Sequence, residues 1–188
     1  MRGLAAVALV VALAACSGTP AVSLPTPVPI PDGWITSASG GVRITIPAEW
    51  PSIGDMPHGV IVSVAIPPGT DANVGLYALS PQGLDQPELP VNDERLAEWI
   101  LDRLADRQPD SYDTSAVALP AGQAIRIRYR FDGEPGSFEA IDGVAYAIRT
   151  AAGIAYLQVI VSASLVDRYA TAMDQIPYLF ELVADDEE

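Results

Sequence analysis

Arginine stands at every second position in Gln-Ala-Ile-Arg-Ile-Arg-Tyr-Arg-Phe, residues 123 to 131. In an extended strand alternate side chains share a face. Arg126, Arg128 and Arg130 therefore line one face, and Ile125, Ile127 and Tyr129 the other. Three neighbouring guanidiniums repel one another unless acids lie opposite. The row has two readings: pairing across strands with some of the 24 Asp and Glu, or binding of an anion, as a partner's acidic face or a lipid headgroup. Other reactive groups are few. His58, the single histidine, sits in Gly-Asp-Met-Pro-His-Gly, which reads as a turn. A Ser-His-Asp relay would need it as the base, and no G-x-S-x-G accompanies it. Asp132, Glu134, Glu139 and Asp142 cluster, but their spacing misses the calcium-loop pattern and Pro135 interrupts it. A solvated acidic loop is expected there. Paired carboxylates carry little weight as a glycosidase signal, because with 24 acids some pair always lies close. The reading is of a chain with no catalytic residues, no metal and no cofactor.

The remaining reactive group is the single thiol, Cys16. Ahead of it, residues 1 to 15 combine Arg2 with a run of twelve apolar residues from Leu4 to Ala15. A spanning helix needs about 20, so this run is too short to cross a bilayer. A basic start, a short apolar stretch and small residues make a secretory signal. Leu13-Ala14-Ala15-Cys16 resembles the bacterial lipobox. That resemblance implies that the thiol accepts a diacylglycerol and that Cys16 becomes the first residue of the mature chain. The protein would then be anchored on the outer face of the cytoplasmic membrane. Two acyl chains, at about 0.8 kcal/mol per buried methylene, suffice for a stable anchor. Residues 17 to 32 follow with five prolines. That density favours a polyproline II spacer, at about 3.1 Å per residue reaching up to about 50 Å; the alternative is a docking motif for a proline-binding domain.

Composition limits the partners. The chain has 188 residues, 49% hydrophobic and 18% charged, with a net charge of −14. Every basic residue is arginine, a usage associated with GC-rich bacterial genomes. Such a charge repels nucleic-acid phosphates and anionic headgroups alike, so nucleic acid is excluded and any membrane attachment must be covalent or hydrophobic, as an anchor on Cys16 would be.

The elements that would position the arginines are legible from residue 33 onward. Strands are expected at 41–50, ended by Pro47, and at 59–68 and 73–80. A loop is expected at 81–91. The pattern predicts a helix over 92–107, capped by Asn92, with Leu96, Trp99, Ile100 and Leu104 on its buried stripe. Strands at 114–120 and 123–131 join through a turn at Ala121-Gly122, and 143–150 and 154–163 form a hairpin around Ala151-Ala152-Gly153. A last helix begins at Ser164 with Asp167 as a capping-box variant, and buries Leu165, Tyr169, Ala172, Met173 and Ile176. "YLFELV" (178–183) adds a short final segment, and residues 184 to 188 form an acidic tail. Short turns between neighbouring strands imply antiparallel pairing. The expected fold is α+β, a single antiparallel sheet flanked by helices, in one domain over 33–183.

"VRITIPAEW" (42–50), the helix at 92–107, "LPAGQAIRIRYRF" (119–131), "GIAYLQVIVSA" (153–163) and the closing "DQIPYLF" (174–180) together resemble the PsbP/Mog1-like superfamily. More narrowly they resemble actinobacterial lipoproteins of the LpqN/LpqT type. The resemblance implies a sheet-and-helix sandwich and an auxiliary or binding role without a shared catalytic site, so no catalytic residue is carried over. The expected function is a lipid-anchored, non-enzymatic envelope domain presenting a sheet face or cleft to an envelope protein. The alternatives are a lipid or glycolipid carrier with an apolar cavity and, behind it, a hydrolase.

Overall fold

The structure, a computed structural model, describes residues 24–26, 28–50, 53–56, 58–66, 68–84, 92–104, 108–133 and 139–184. The expected signal segment (residues 1 to 15), Cys16, half of the proline-rich stretch and the last four residues lie outside them. In chain order the elements are β1 (Trp34–Ser39), β2 (Val42–Pro47), β3 (Ile53–Met56), β4 (Gly59–Ala65), β5 (Asn73–Leu79), α1 (Asp93–Leu104), β6 (Ser111–Leu119), β7 (Gly122–Phe131), β8 (Ile141–Thr150), β9 (Gly153–Ser162), α2 (Val166–Gln175) and β10 (Glu181–Leu182).

All strand pairings are antiparallel, as the short turns require. They form two sheets, and the expectation of a single sheet is corrected. Seven strands run in the order β3-β4-β5-β9-β8-β7-β6, and three more in the order β1-β2-β10. The reason lies in β2. Its Val42, Ile44 and Ile46 are fully buried, packed face-on with Val60 and Val62 of β4 and Val74 and Leu76 of β5. A strand that lays side chains on a sheet cannot also bond to that sheet's edge. Its backbone therefore pairs instead with β1 and β10, and Thr36 meets Thr45 across that pair at 2.9 Å.

The large sheet is thus covered on both faces. On one lie the small sheet and α2, with Tyr169 of α2 edge-on to the fully buried Trp50 at 5.3 Å between ring centres. On the other lies α1, whose Leu96, Ile100 and Leu104 pack on Ile125, Ile127, Ala145 and Ala147. Coverage on both faces explains why β8 and β9 read as nearly continuous apolar runs. Trp99 is only partly buried and sits under the Arg103 guanidinium at 3.7 Å.

The helix ends differ in how far they follow expectation. Asn92 caps α1 by accepting the Arg95 N–H at 2.9 Å. Ser164 does not cap α2: a 3-10 turn over Ala163–Leu165 precedes it, no side chain caps it, and the Ser164 N–H goes to Glu139 at 2.8 Å. The buried stripe of α2 is as expected. The β6–β7 turn is Pro120-Ala121, one residue earlier than read, with Gly122 already paired to Leu119. A Cβ on Gly122, at φ +153, would lie 2.1 Å from the Arg149 carbonyl oxygen, which is why glycine stands there.

Candidate functional site at the β6–β8 corner

Strict alternation in β7 places the three arginines on the α2-side face, opposite Ile125, Ile127 and Tyr129. Each lies in a specific setting. Arg126 stands across from Tyr146 on β8 and donates Nε–H to Ser115 Oγ at 3.1 Å. Arg128 is opposite Asp113 on β6 and ion-paired with Asp174 of α2. Arg130 bridges Asp142, its partner on β8, at 2.9 Å and Asp132 at 3.1 Å. The Asp132 hydrogen bond and the Asp142 charge hold the Arg130 guanidinium even more firmly protonated than usual. Burial pushes the Tyr146 phenol up to about 12, opposed by the charges of Arg126 and Arg128.

The structure therefore brings the row together and surrounds it with acids. Arg128 and Arg130 face Asp113, Asp132, Asp142 and Asp174, four carboxylates to two cations. A free anion arriving here meets arginines already engaged. At the end of the strands an open hollow of about 340 Å³ is lined by Ser111, Tyr112, Asp113, Arg128, Tyr129, Arg130 and Asp142. Tyr112 is 52% exposed there, the most exposed aromatic among the described residues. A hollow with both signs of charge and an exposed tyrosine has the make-up of a protein-contact surface. Tyr112 and Asp113 lie ahead of the strand expected at 114–120, since β6 begins at Ser111. An edge strand with one wet face and few large apolar residues leaves little period-2 signal.

The other candidates resolve individually. His58 is exposed at φ +61 in the β3–β4 turn, and its carbonyl accepts both N–H and Oγ–H of Ser80 at 2.9 and 3.1 Å. That Ser80 hydroxyl is spent on backbone, not aimed at an imidazole. Of the acidic loop, Glu134 lies outside the described residues. Asp132 and Asp142 hold Arg130, and Glu139 is met by Ser164, whose hydroxyl first and N–H second keep its carboxyl below the usual range. Among the described residues no three His, Cys, Asp or Glu come close enough to hold a metal ion. No described helix is long and apolar enough to cross a membrane.

A second polar cluster lies under α1, wholly inside. The Gln158 amide donates to Tyr129 Oη at 2.6 Å and its carbonyl accepts from Tyr156 Oη at 3.1 Å. Burial pushes Tyr129 up to about 12 and Tyr156 higher still. The cluster is closed off by Trp99, edge-on to Tyr156 at 6.0 Å. It satisfies itself and offers nothing to a ligand.

No protein-family model matches the chain, and no curated protein matches it in sequence. Among solved structures it is similar to cyanobacterial PsbP (CyanoP) from Synechocystis sp. PCC 6803, at 14% identity and a TM-score of 0.46, covering 91% of this chain and 99% of that one. It is also similar to LpqN of Mycobacterium tuberculosis, described as involved in cell envelope biogenesis, at 13% identity and a TM-score of 0.40, covering 86% and 82%. These are likenesses in the course of the chain.

Proposed function

We propose that this protein is a non-enzymatic accessory domain of the bacterial envelope. In this reading it is tethered through a diacylglycerol on Cys16 to the outer face of the cytoplasmic membrane and binds an envelope protein at the β6–β8 corner. The observation that carries the binding role is the corner itself: a hollow of about 340 Å³ with paired charges of both signs and Tyr112 standing out of it. Most of the large sheet is already covered by α1 on one side and by α2 and the small sheet on the other. A partner would therefore meet the corner, not the middle of a sheet face. The tether reading rests on the Leu13-Ala14-Ala15-Cys16 sequence and the prolines after it.

The test is complementation of a strain lacking the protein. Arg128→Ala with Arg130→Ala leaves the core untouched and removes the charge pattern of the corner. The double variant is expected to be folded, membrane-bound and unable to complement. Ser63→Ala, on the exposed side of β4, is expected to complement fully. Full complementation by the double variant overturns the corner. Cys16→Ala is expected to release the protein from the membrane fraction; unchanged retention would sink the anchor.

A further inference from the structure

The two outer strands of the large sheet are unequal. β3 has four residues, and β6 has nine. Natural sheets blunt open edges with short strands, prolines, lysines or bulges, because a bare edge pairs with whatever strand comes near. β3 follows that rule by length. β6, Ser-Tyr-Asp-Thr-Ser-Ala-Val-Ala-Leu, has no proline or lysine, and its first four residues are exposed. The two-residue turn at Pro120-Ala121 closes on Leu119 and Gly122, so those two exchange backbone bonds. Parity then directs residues 117, 115, 113 and 111 toward β7. Tyr112, Thr114, Ala116 and Ala118 present their N–H and C=O groups outward along the edge.

Beside that edge, on the α1 face, runs a groove of about 450 Å³. Its floor is Tyr112, Thr114, Ala116 and Ile125, and its wall is α1, with Ala97 and Leu101 low and Asp93, Glu94 and Glu98 along the rim. Asp93 is bridged to Arg149 at 2.7 Å. Glu94 and Glu98 stand one helical turn apart on the same face, a like-charged pair that costs stability in the free protein.

We propose that β6 and this groove take an extended segment of a protein partner by strand addition, with basic side chains at alternate positions reaching the α1 acids. This deepens the binding reading above and rests on it. Main-chain bonds to the outward groups of β6 supply affinity, and the groove selects the side chains on one face of the added strand. The acidic rim decides between occupants. A second copy pairing antiparallel through β6 would place its own α1 on the same side of the joined sheet. Its Asp93, Glu94 and Glu98 would then face these, between two chains each of net charge −14. A cationic strand meets the opposite situation.

The experiment is amide hydrogen exchange on the full chain, with two synthetic peptides as probes: one alternating arginine and valine, the other glutamate and valine. Outward amides at Tyr112, Thr114, Ala116 and Ala118 are expected to slow by about tenfold or more with the arginine peptide and not with the glutamate peptide. Thr114→Pro removes an outward N–H without touching the β7 ladder and is expected to abolish that protection. Should that variant fold poorly, Glu94→Arg with Glu98→Arg is expected to transfer the preference to the glutamate peptide. No protection at saturating arginine peptide, or equal protection by both peptides, overturns the proposal. So does a dimer in sedimentation that Thr114→Pro dissolves, since β6 would then serve self-association. If the edge fails while Arg128→Ala with Arg130→Ala still blocks complementation, the binding role stands and only the edge is lost.

Discussion

Gly143 on β8 lies directly across from Tyr129, and the tyrosine ring crosses over it. A Cβ added at Gly143 would sit 2.2 Å from the ring's Cζ, 2.4 Å from Oη and 2.6 Å from Cε2. The ring is not free to yield, because its hydroxyl holds Gln158 in the core at 2.6 Å and its face packs edge-on to Phe131 at 5.5 Å. Gly143→Ala must therefore displace Tyr129 and break that bond. Leaving the Gln158 amide unpaired costs about 1–3 kcal/mol. Forcing a methyl into a filled site costs a further 1–3 kcal/mol or so. The total, about 2–6 kcal/mol, is a large part of the 5–15 kcal/mol typical of a whole domain. It corresponds to a fall of roughly 5–20 °C in Tm for a chain of this size. Urea unfolding followed by tryptophan fluorescence measures it. Gly75→Ala is the control: its Cβ meets nothing nearer than 3.7 Å, and it should be neutral or gain up to about 1 kcal/mol. In a Tyr129→Phe background the hydrogen bond is already gone, so Gly143→Ala should cost less than in the wild type. A Gly143→Ala protein within about 1 kcal/mol of wild type would refute the packing described under α1.

Other perturbations separate strong contacts from weak ones. Asn92→Ala removes the cap on α1 and should cost about 1 kcal/mol in the same assay, whereas Asn92→Gly should cost a few tenths. Arg128 and Asp174 are paired but exposed, so either change to alanine should cost under about 1 kcal/mol, and a double-mutant cycle should find the coupling weakened by salt. Tyr129 and Tyr146 are pushed up to about 12 by burial, against about 10 for an unfolded chain. The folded state therefore holds more protons in that interval. Stability should be full below about pH 10 and fall as pH rises toward 12, seen as a declining urea midpoint; a flat midpoint across that range would contradict the burial.

Strands with one clean signal were legible in the residues. β7 alternates strictly, so its faces and its arginine row follow from period alone. α1 and α2 carry buried stripes at helical spacing, and all the stripe residues but Trp99 are buried as read. The division into two sheets was not legible, because hydrophobic period tells which side chains are buried and not whether they are buried beside a strand or beneath one. β2 shows the difference: Val42, Ile44 and Ile46 read as a core-facing strand of the main sheet and are core-facing from a second sheet. β1, with the burial pattern of a wet edge, gave no pattern to read, and β10, two residues long, falls within the short final segment expected over 178–183. The arginine row was found, but its setting was not. Asp174 comes from α2, 46 residues away, and Asp113 from a strand begun too late, so the acids that enclose the row depend on pairing that no local pattern reports.

If the β6–β8 corner meets an envelope protein, photo-crosslinking in intact cells will show it. A photo-reactive phenylalanine replaces Tyr112, which stands exposed in the hollow and leaves Arg128 and Arg130 in place, and another replaces Ser63 as the control. Protein and lipid adducts are then read by mass spectrometry. A discrete protein adduct from position 112 and none from position 63 is the expected result. A lipid adduct at 112, or no adduct at all, would contradict a protein-binding corner.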